Sequence, residues 1–275
     1  MRAFQEQLSM EPGMDAVCRV FAVPDRVPAS PREMEILAGA KRSTLEVDGQ
    51  HIVYWTFGKG PRVLLVHGWC SRGSHLISFV EPILAAGFSV ALFDAPGHGD
   101  SEGIVSSMIH AGRTALALAQ KLGDVHSLIS HSGGSTAALW ALANGLSVEK
   151  SVHLCGPSSM KEVVLGIARA HGLERKEVLA FEDWVEAFTR VSLDSADLPA
   201  LTSGLLHPGL IVHDAGDRIV DISQSQALHA AWLNSTLFVT EGLGHRRILS
   251  DLQVITTVVD FIEIEILRNT YLEKG

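Results

Sequence analysis

The sequence predicts an α/β domain: a mostly parallel sheet with helices on both faces. Three observations carry that expectation. Short, continuously apolar runs recur, as strands covered on both faces require. Helical patterns lie between them, which is the signature of parallel crossovers. Finally, 47% of the 275 residues are hydrophobic and only 19% charged, against a usual charged share of about 25%. A chain of that size and composition builds a large core, and disorder and coiled coil are excluded.

Taken in order, Ser43–Asp48 and Ile52–Phe57 read as two strands joined across Asp48-Gly49, a strong hairpin dipeptide. The runs Val63–Val66, Ser89–Phe93, His126–Ser130, Val152–Cys155, Leu210–Val212 and Thr236–Val239 follow as strands. Helical patterns cover about 75–86, 105–122, 134–144, 222–232 and 247–268. Residues 157–208 are too long for one crossover, so they hold an insertion whose apolar spacing reads as a small helical cap. The division expected is an N-terminal extension over 1–42, a core over 43–156 and 209–275, and the cap. Within the extension, Ala22–Asp25 with Pro28 and Pro31 reads as loop before a short helix near Arg32–Ala40.

The net charge of −9 argues against nucleic acid and anionic membranes, which need clustered Lys and Arg. Cys18, Cys70 and Cys155 are odd in number and lack CxxC spacing, so neither a disulfide framework nor a zinc site is expected. The first 15 residues have no apolar core of a signal peptide. Val125–Val148 has no charged side chain and is long enough for a bilayer, but its centre reads SHSGGS; a strand, tight turn and buried helix fit better. The expected setting is cytoplasmic, with a small-molecule partner.

Ligands of parallel α/β sheets bind beyond the carboxyl ends of the strands. Those positions read His67-Gly68-Trp69-Cys70, Asp94 to Ser101 (DAPGHGDS), Ser130 to Ser135 (SHSGGS), His213 to Arg218 (HDAGDR) and Thr240 to His245 (TEGLGH). A serine, an acid and a histidine thus stand in that order, each just past a strand. A serine hydroxyl becomes a nucleophile only when a neighbouring base takes its proton. Ser132 is flanked at −2 and +2 by Ser130 and Gly134, small residues that suit a strained strand-to-helix turn. A positive φ is expected there. Histidine titrates near neutrality and serves as base, and His245 follows the last strand. For the acid, Asp214, Asp217 and Asp221 share one loop. Asp214 comes early, two residues past its strand, and Asp221 suits the start of the next helix. Asp217 follows Gly216, which lets the chain turn.

With HGW, DAPGHGDS, SHSGG, HDAGD and GLGHRRIL in this order, the chain resembles the α/β-hydrolases over about residues 43–265, most of all small bacterial serine hydrolases of the esterase kind. The resemblance implies an eight-stranded sheet and a Ser132–His245–Asp217 triad. It implies an oxyanion hole from the N–H groups of Gly133 and Trp69. It departs at −2, where those proteins usually carry glycine and this one Ser130. The implied reaction is cleavage of an ester or related acyl compound through an acyl-enzyme, with no cofactor or metal. Thioester, lactone and C–C hydrolysis, cofactor-free perhydrolysis, and a non-catalytic ligand-binding role are alternatives. His67 is expected to orient the oxyanion loop. His98 and His131 are expected to make structural hydrogen bonds, and Cys70 to be inert. The stripe Phe181, Trp184, Val185, Phe188 has helical spacing and reads as packing, with a substrate-facing lid as the sharper alternative.

Overall fold

The computed structural model describes residues 12–272, with side chains for 14–263. Eight strands form one sheet: β1 (Lys41–Val47), β2 (Gln50–Phe57), β3 (Arg62–Val66), β4 (Ser89–Phe93), β5 (Ser127–His131), β6 (Lys150–Leu154), β7 (Gly209–Asp214) and β8 (Ser235–Thr240). Their order is β1-β2-β4-β3-β5-β6-β7-β8. β1 and β2 pair antiparallel, as does β2 with β4, and every other pairing is parallel. The hairpin turns on Asp48 (φ 50°) and Gly49 (φ 74°), the two positive φ values of a primed two-residue turn.

The helices are α1 (Pro12–Ala22), α2 (Pro31–Ala38), α3 (Val80–Ala85), α4 (Met108–Leu122), α5 (Gly133–Ala143), α6 (Met160–Ala170), α7 (Arg175–Thr189), α8 (Leu198–Thr202), α9 (Ser223–Ala231), α10 (Gly244–Arg247) and α11 (Leu252–Leu272). Alternation along the strands splits the core. Leu64 and Val66 of β3 face one cluster with α4, α5 and the 157–208 helices, whereas Val63 and Leu65 face another with α3 and α11. The uncharged stretch 125–148 becomes β5, a turn and α5. Gly133–Ala141 of that helix are all buried, so it needs no polar face. No helix among the described residues is long and apolar enough to cross a membrane.

Three expectations change in detail. The 75–86 helix is a 3₁₀ segment (Gly73–Phe79) that runs into α3. The 247–268 helix is broken, because Asp251 accepts from the Val254 N–H and starts α11 anew. The loop expected from Ala22 is preceded by a helix the sequence reading lacked, α1. Its Phe21 packs edge-on against Phe181, Trp184 and Phe188, with centroids 5.9, 6.1 and 6.3 Å away. The aromatic stripe of α7 therefore packs against α1.

Candidate active site

The chain order reverses between β3 and β5: β3 leads to β4 on one side, and the chain then returns to lay β5 on the other. Such a switch point opens a crevice at the carboxyl ends of the strands. His67–Cys70 leave β3 there, and Ser132 leaves β5.

Ser132 has φ 54° and ψ −132°, a conformation uncommon for a residue bearing a Cβ and held by its surroundings. Its N–H donates to the Leu154 carbonyl of β6 at 2.9 Å. Two glycines permit the close passage. A Cβ on Gly134 would lie 2.5 Å from the Val66 and His67 carbonyl oxygens, and one on Gly68 2.8 Å from the Ser132 Cβ. Ser130 is tolerated at −2 because its buried hydroxyl finds an acceptor, the Val152 carbonyl at 3.0 Å.

The three side chains meet. Ser132 Oγ lies 2.9 Å from His245 Nε2, and His245 Nδ1 lies 2.7 Å from Asp217 Oδ2. An ionised carboxylate only accepts, so Nδ1 carries the proton and Nε2 accepts from the serine hydroxyl. Asp217 Oδ1 accepts from the N–H groups of Ile219 at 2.8 Å and Val220 at 3.2 Å. Burial pushes the Asp217 pKa up, but the hydrogen bonds, that from His245 foremost, hold it down at about 2. Cys155, at the end of β6, sits against this pair: its sulfur and the nearest Asp217 and His245 ligand atoms all lie within 4.8 Å of one another. Burial pushes its thiol pKa up.

Asp214 is fully buried and turned elsewhere. Its carboxylate accepts from the N–H groups of Gly216 at 3.0 Å and Leu243 at 2.8 Å and from the Thr240 hydroxyl at 3.0 Å. It ties β7 to the end of β8 and to the loop that carries His245. Asp221 accepts from the Ser223 N–H at 2.9 Å, two residues before α9.

The neighbouring histidines fix the frame. His67 Nε2 accepts from the Ala95 N–H at 2.9 Å, and its Nδ1 donates to the Gly68 carbonyl at 2.7 Å. Burial lowers its pKa to about 4, so it stays neutral and orients the loop after β3. His131 Nε2 donates to the carbonyl of His245 at 2.8 Å, and burial lowers its pKa to about 3. The residue before Ser132 thereby braces the backbone of His245. His98 Nδ1 donates to the Pro96 carbonyl, and its ring packs on Trp69 with centroids 5.1 Å apart. Cys70 is half-buried and accepts from the Asp25 N–H at 3.3 Å; burial raises its pKa.

Gly133 opens α5, so its N–H has no carbonyl one turn back within the helix. A Cβ on Gly133 would stand 3.4 Å from the Trp69 nitrogen, so the backbone of Trp69 passes close to that of Gly133, next to Ser132. Ser132 borders two cavities. A cleft of about 510 Å³ is lined by Gly68, Trp69, His131, His245 and Arg246 among others. A second, of about 400 Å³, lies under α6 between Met108, Gly133, Val163 and Ile167. The α7 aromatic stripe lines neither. A further cavity of about 730 Å³, between α2 and Trp55, contains none of the three meeting side chains.

The sequence reading missed part of the cleft wall: Ser30, Arg32 and Glu33, at the start of α2. A signal for that helix start was available. Ser30 accepts from the Glu33 N–H, Glu33 Oε2 accepts from the Ser30 N–H, and Pro31 occupies the first turn, which together make a capping box.

The chain is similar to proteins already known. A 2-hydroxy-6-oxononadienedioate/2-hydroxy-6-oxononatrienedioate hydrolase of Pseudomonas putida is 28% identical, over 72% of this chain and 82% of its own length. An esterase structure from Pyrococcus furiosus superposes with a TM-score of 0.68 at 18% identity, over 88% of this chain and 97% of that one. A putative lipase structure from Acinetobacter baumannii superposes with a TM-score of 0.65 at 19% identity, over 89% and 99%. Residues 63–255, well over half of the chain, match the alpha/beta hydrolase family, and the protein belongs to it.

Proposed function

We propose that the protein is a serine hydrolase that cleaves a carboxylic ester through an acyl-enzyme. The observation that carries the reading is the hydrogen-bonded run from Ser132 through His245 to Asp217, with the backbone of Gly133 and Trp69 beside it. In this mechanism Ser132 Oγ attacks the ester carbonyl carbon as its proton passes to His245 Nε2. The carbonyl oxygen takes up the negative charge and is held by the N–H groups of Gly133 and Trp69. Asp217, kept ionised, stabilises the imidazolium and fixes its tautomer. The intermediate collapses, the bond to the leaving oxygen breaks, and that oxygen takes the proton from Nε2. Water then repeats the sequence on the acyl-enzyme, releasing the acid and free Ser132.

A second reading, hydrolysis of a C–C bond on the same side chains, is favoured by one observation. The Pseudomonas putida relative, similar over most of both chains, is named for 2-hydroxy-6-oxononadienedioate and 2-hydroxy-6-oxononatrienedioate.

The test is labelling with a fluorophosphonate beside turnover of p-nitrophenyl acetate to octanoate and of the two substrates in that name. Ser132 should become labelled as ester turnover disappears, and Ser132→Ala should neither label nor hydrolyse esters. Labelling at Ser130 or Ser135 would defeat the proposal. Turnover of the oxo-dienedioates alone would select the second reading.

A further inference from the structure

We infer that the cleft beside His245 binds an anionic leaving group, held by Arg32 and Arg246. This deepens the hydrolase reading and rests on it.

The arginines lining the other two cavities are committed. In the cavity under α6, Arg169 faces Glu162 at 3.6 Å. In the cavity beside Trp55, Arg26 donates to the Gly99 and Gly103 carbonyls, and Arg72 pairs with Asp94 and Asp100. Arg32 and Arg246 differ. Both line the cleft that contains Ser132 and His245. Among the described residues, neither side chain has an ion pair or hydrogen bond within the chain. Glu33, the one carboxylate in the wall among the described residues, is engaged: Oε2 accepts from the Ser30 N–H at 2.6 Å, and Oε1 faces His75 Nε2 at 3.7 Å. Burial lowers the His75 pKa; Glu33 opposes this, and Arg246 and Arg72 add to it. Ser74 is fully buried in the same wall, and its hydroxyl has no partner. On a chain of net charge −9, the cleft thus presents two free guanidinium groups to an anion.

The side of the scissile bond follows from proton transfer. The leaving oxygen takes its proton from His245 Nε2. His245 lines the cleft and not the cavity under α6. The leaving group therefore extends into the cleft, and the acyl group occupies the other cavity, between Met108, Val163 and Ile167. The substrate class is an ester, or other acyl compound, whose departing half carries a carboxylate or phosphate. Arg32 belongs to the N-terminal extension, outside residues 63–255 that match the family.

The test compares esters of one acid with charged and neutral leaving groups: 4-acetoxybenzoate against 4-acetoxybenzamide. Each kcat/KM is divided by the hydroxide-catalysed rate of the same ester. The charged ester should be favoured about tenfold in about 50 mM salt, and less in about 0.5 M. In the double variant Arg32→Gln/Arg246→Gln the ratio should fall towards one. Both side chains are exposed, and circular dichroism verifies that the fold persists. A control pair carries the charge on the acyl side, the p-nitrophenyl monoester of adipate against p-nitrophenyl hexanoate. A ratio near one for the wild type, a ratio the double variant does not move, or a preference confined to the acyl pair overturns the inference. Binding gives a readout without turnover. Ser132→Ala titrated calorimetrically should bind 4-hydroxybenzoate more tightly than 4-hydroxybenzamide, and equal affinities also overturn it. If no ester is turned over the ester reading fails, while the titration still decides on the anion.

Discussion

Asp214 ends β7 and Asp217 lies three residues on, in the loop that follows; both are carboxylates withdrawn from solvent, yet their partners differ in kind. Asp217 faces the imidazole at 2.7 Å and two N–H groups of its own loop. Asp214 spans two strands and the loop of His245 through Gly216, Thr240 and Leu243. An amide at Asp217 retains an oxygen and its volume but not the charge that stabilises an imidazolium. Asp217→Asn should therefore keep the fold and lower kcat by about 10⁴-fold, the loss known for a triad acid. Asp214→Asn removes the charge from three accepted hydrogen bonds, each worth about 1.5–3 kcal/mol when charge-assisted. It should cut stability by a few kcal/mol and reduce activity only as the His245 loop loosens. Urea unfolding beside steady-state kinetics on both variants separates the two. The reverse pattern, with Asp214→Asn stable and inactive, would exchange their roles.

Element by element, the legible parts are those whose signals are local. The turn after β5 is readable because a serine between small residues follows an apolar run. His245 and Asp217 are placed by lying just past strands that periodicity identifies. Sheet order, by contrast, depends on which strands pair across long separations, and no local pattern records it. The extension is illegible for the same reason. α1 has no partner near it in sequence: Phe21 packs on α7, whose Phe181, Trp184 and Phe188 show only as a stripe in need of cover. Its helical spacing reads as packing, and the stripe does pack, but the spacing holds no trace of the α1 surface that covers it. That contact predicts a cost. Phe21 is 2% exposed, and emptying such an aromatic site costs about 3–5 kcal/mol. Phe21→Ala should lower unfolding stability by about 3 kcal/mol and speed proteolysis within 157–208. A loss below about 1 kcal/mol would mean that α1 does not hold that stretch.

For the whole molecule, the 13 histidines set how the fold responds to acid. Burial is the leading cause that lowers the pKa of seven of them below the ordinary 6.5, five of these far below it: His67 and His110 to about 4, and His98, His131 and His153 to about 3. Above pH ~6.5 these groups are neutral in the folded and unfolded chains alike and contribute no pH dependence. Below it the unfolded chain takes up protons that the folded one refuses, so stability falls as pH falls. The loss continues until the folded pKa values are reached, near 4 to 3. Asp217 acts in the same direction at lower pH. Its folded pKa of about 2 lies below the ordinary 3.8, so its contribution is present above 3.8 and is lost as pH drops through about 2. One such histidine changes stability by up to about 1.4 kcal/mol per pH unit, or roughly 3 °C in Tm for a chain of this size. Five acting together should make Tm steady between about pH 7 and 8.5 and fall by well over 3 °C per unit between about 6 and 5. Scanning calorimetry across that range at constant ionic strength is the measurement. A Tm that stays level or rises from pH 6.5 to 5 would show that these rings take up protons inside the fold. His131 could not then hold the single-proton form that leaves it neutral while donating to the His245 carbonyl.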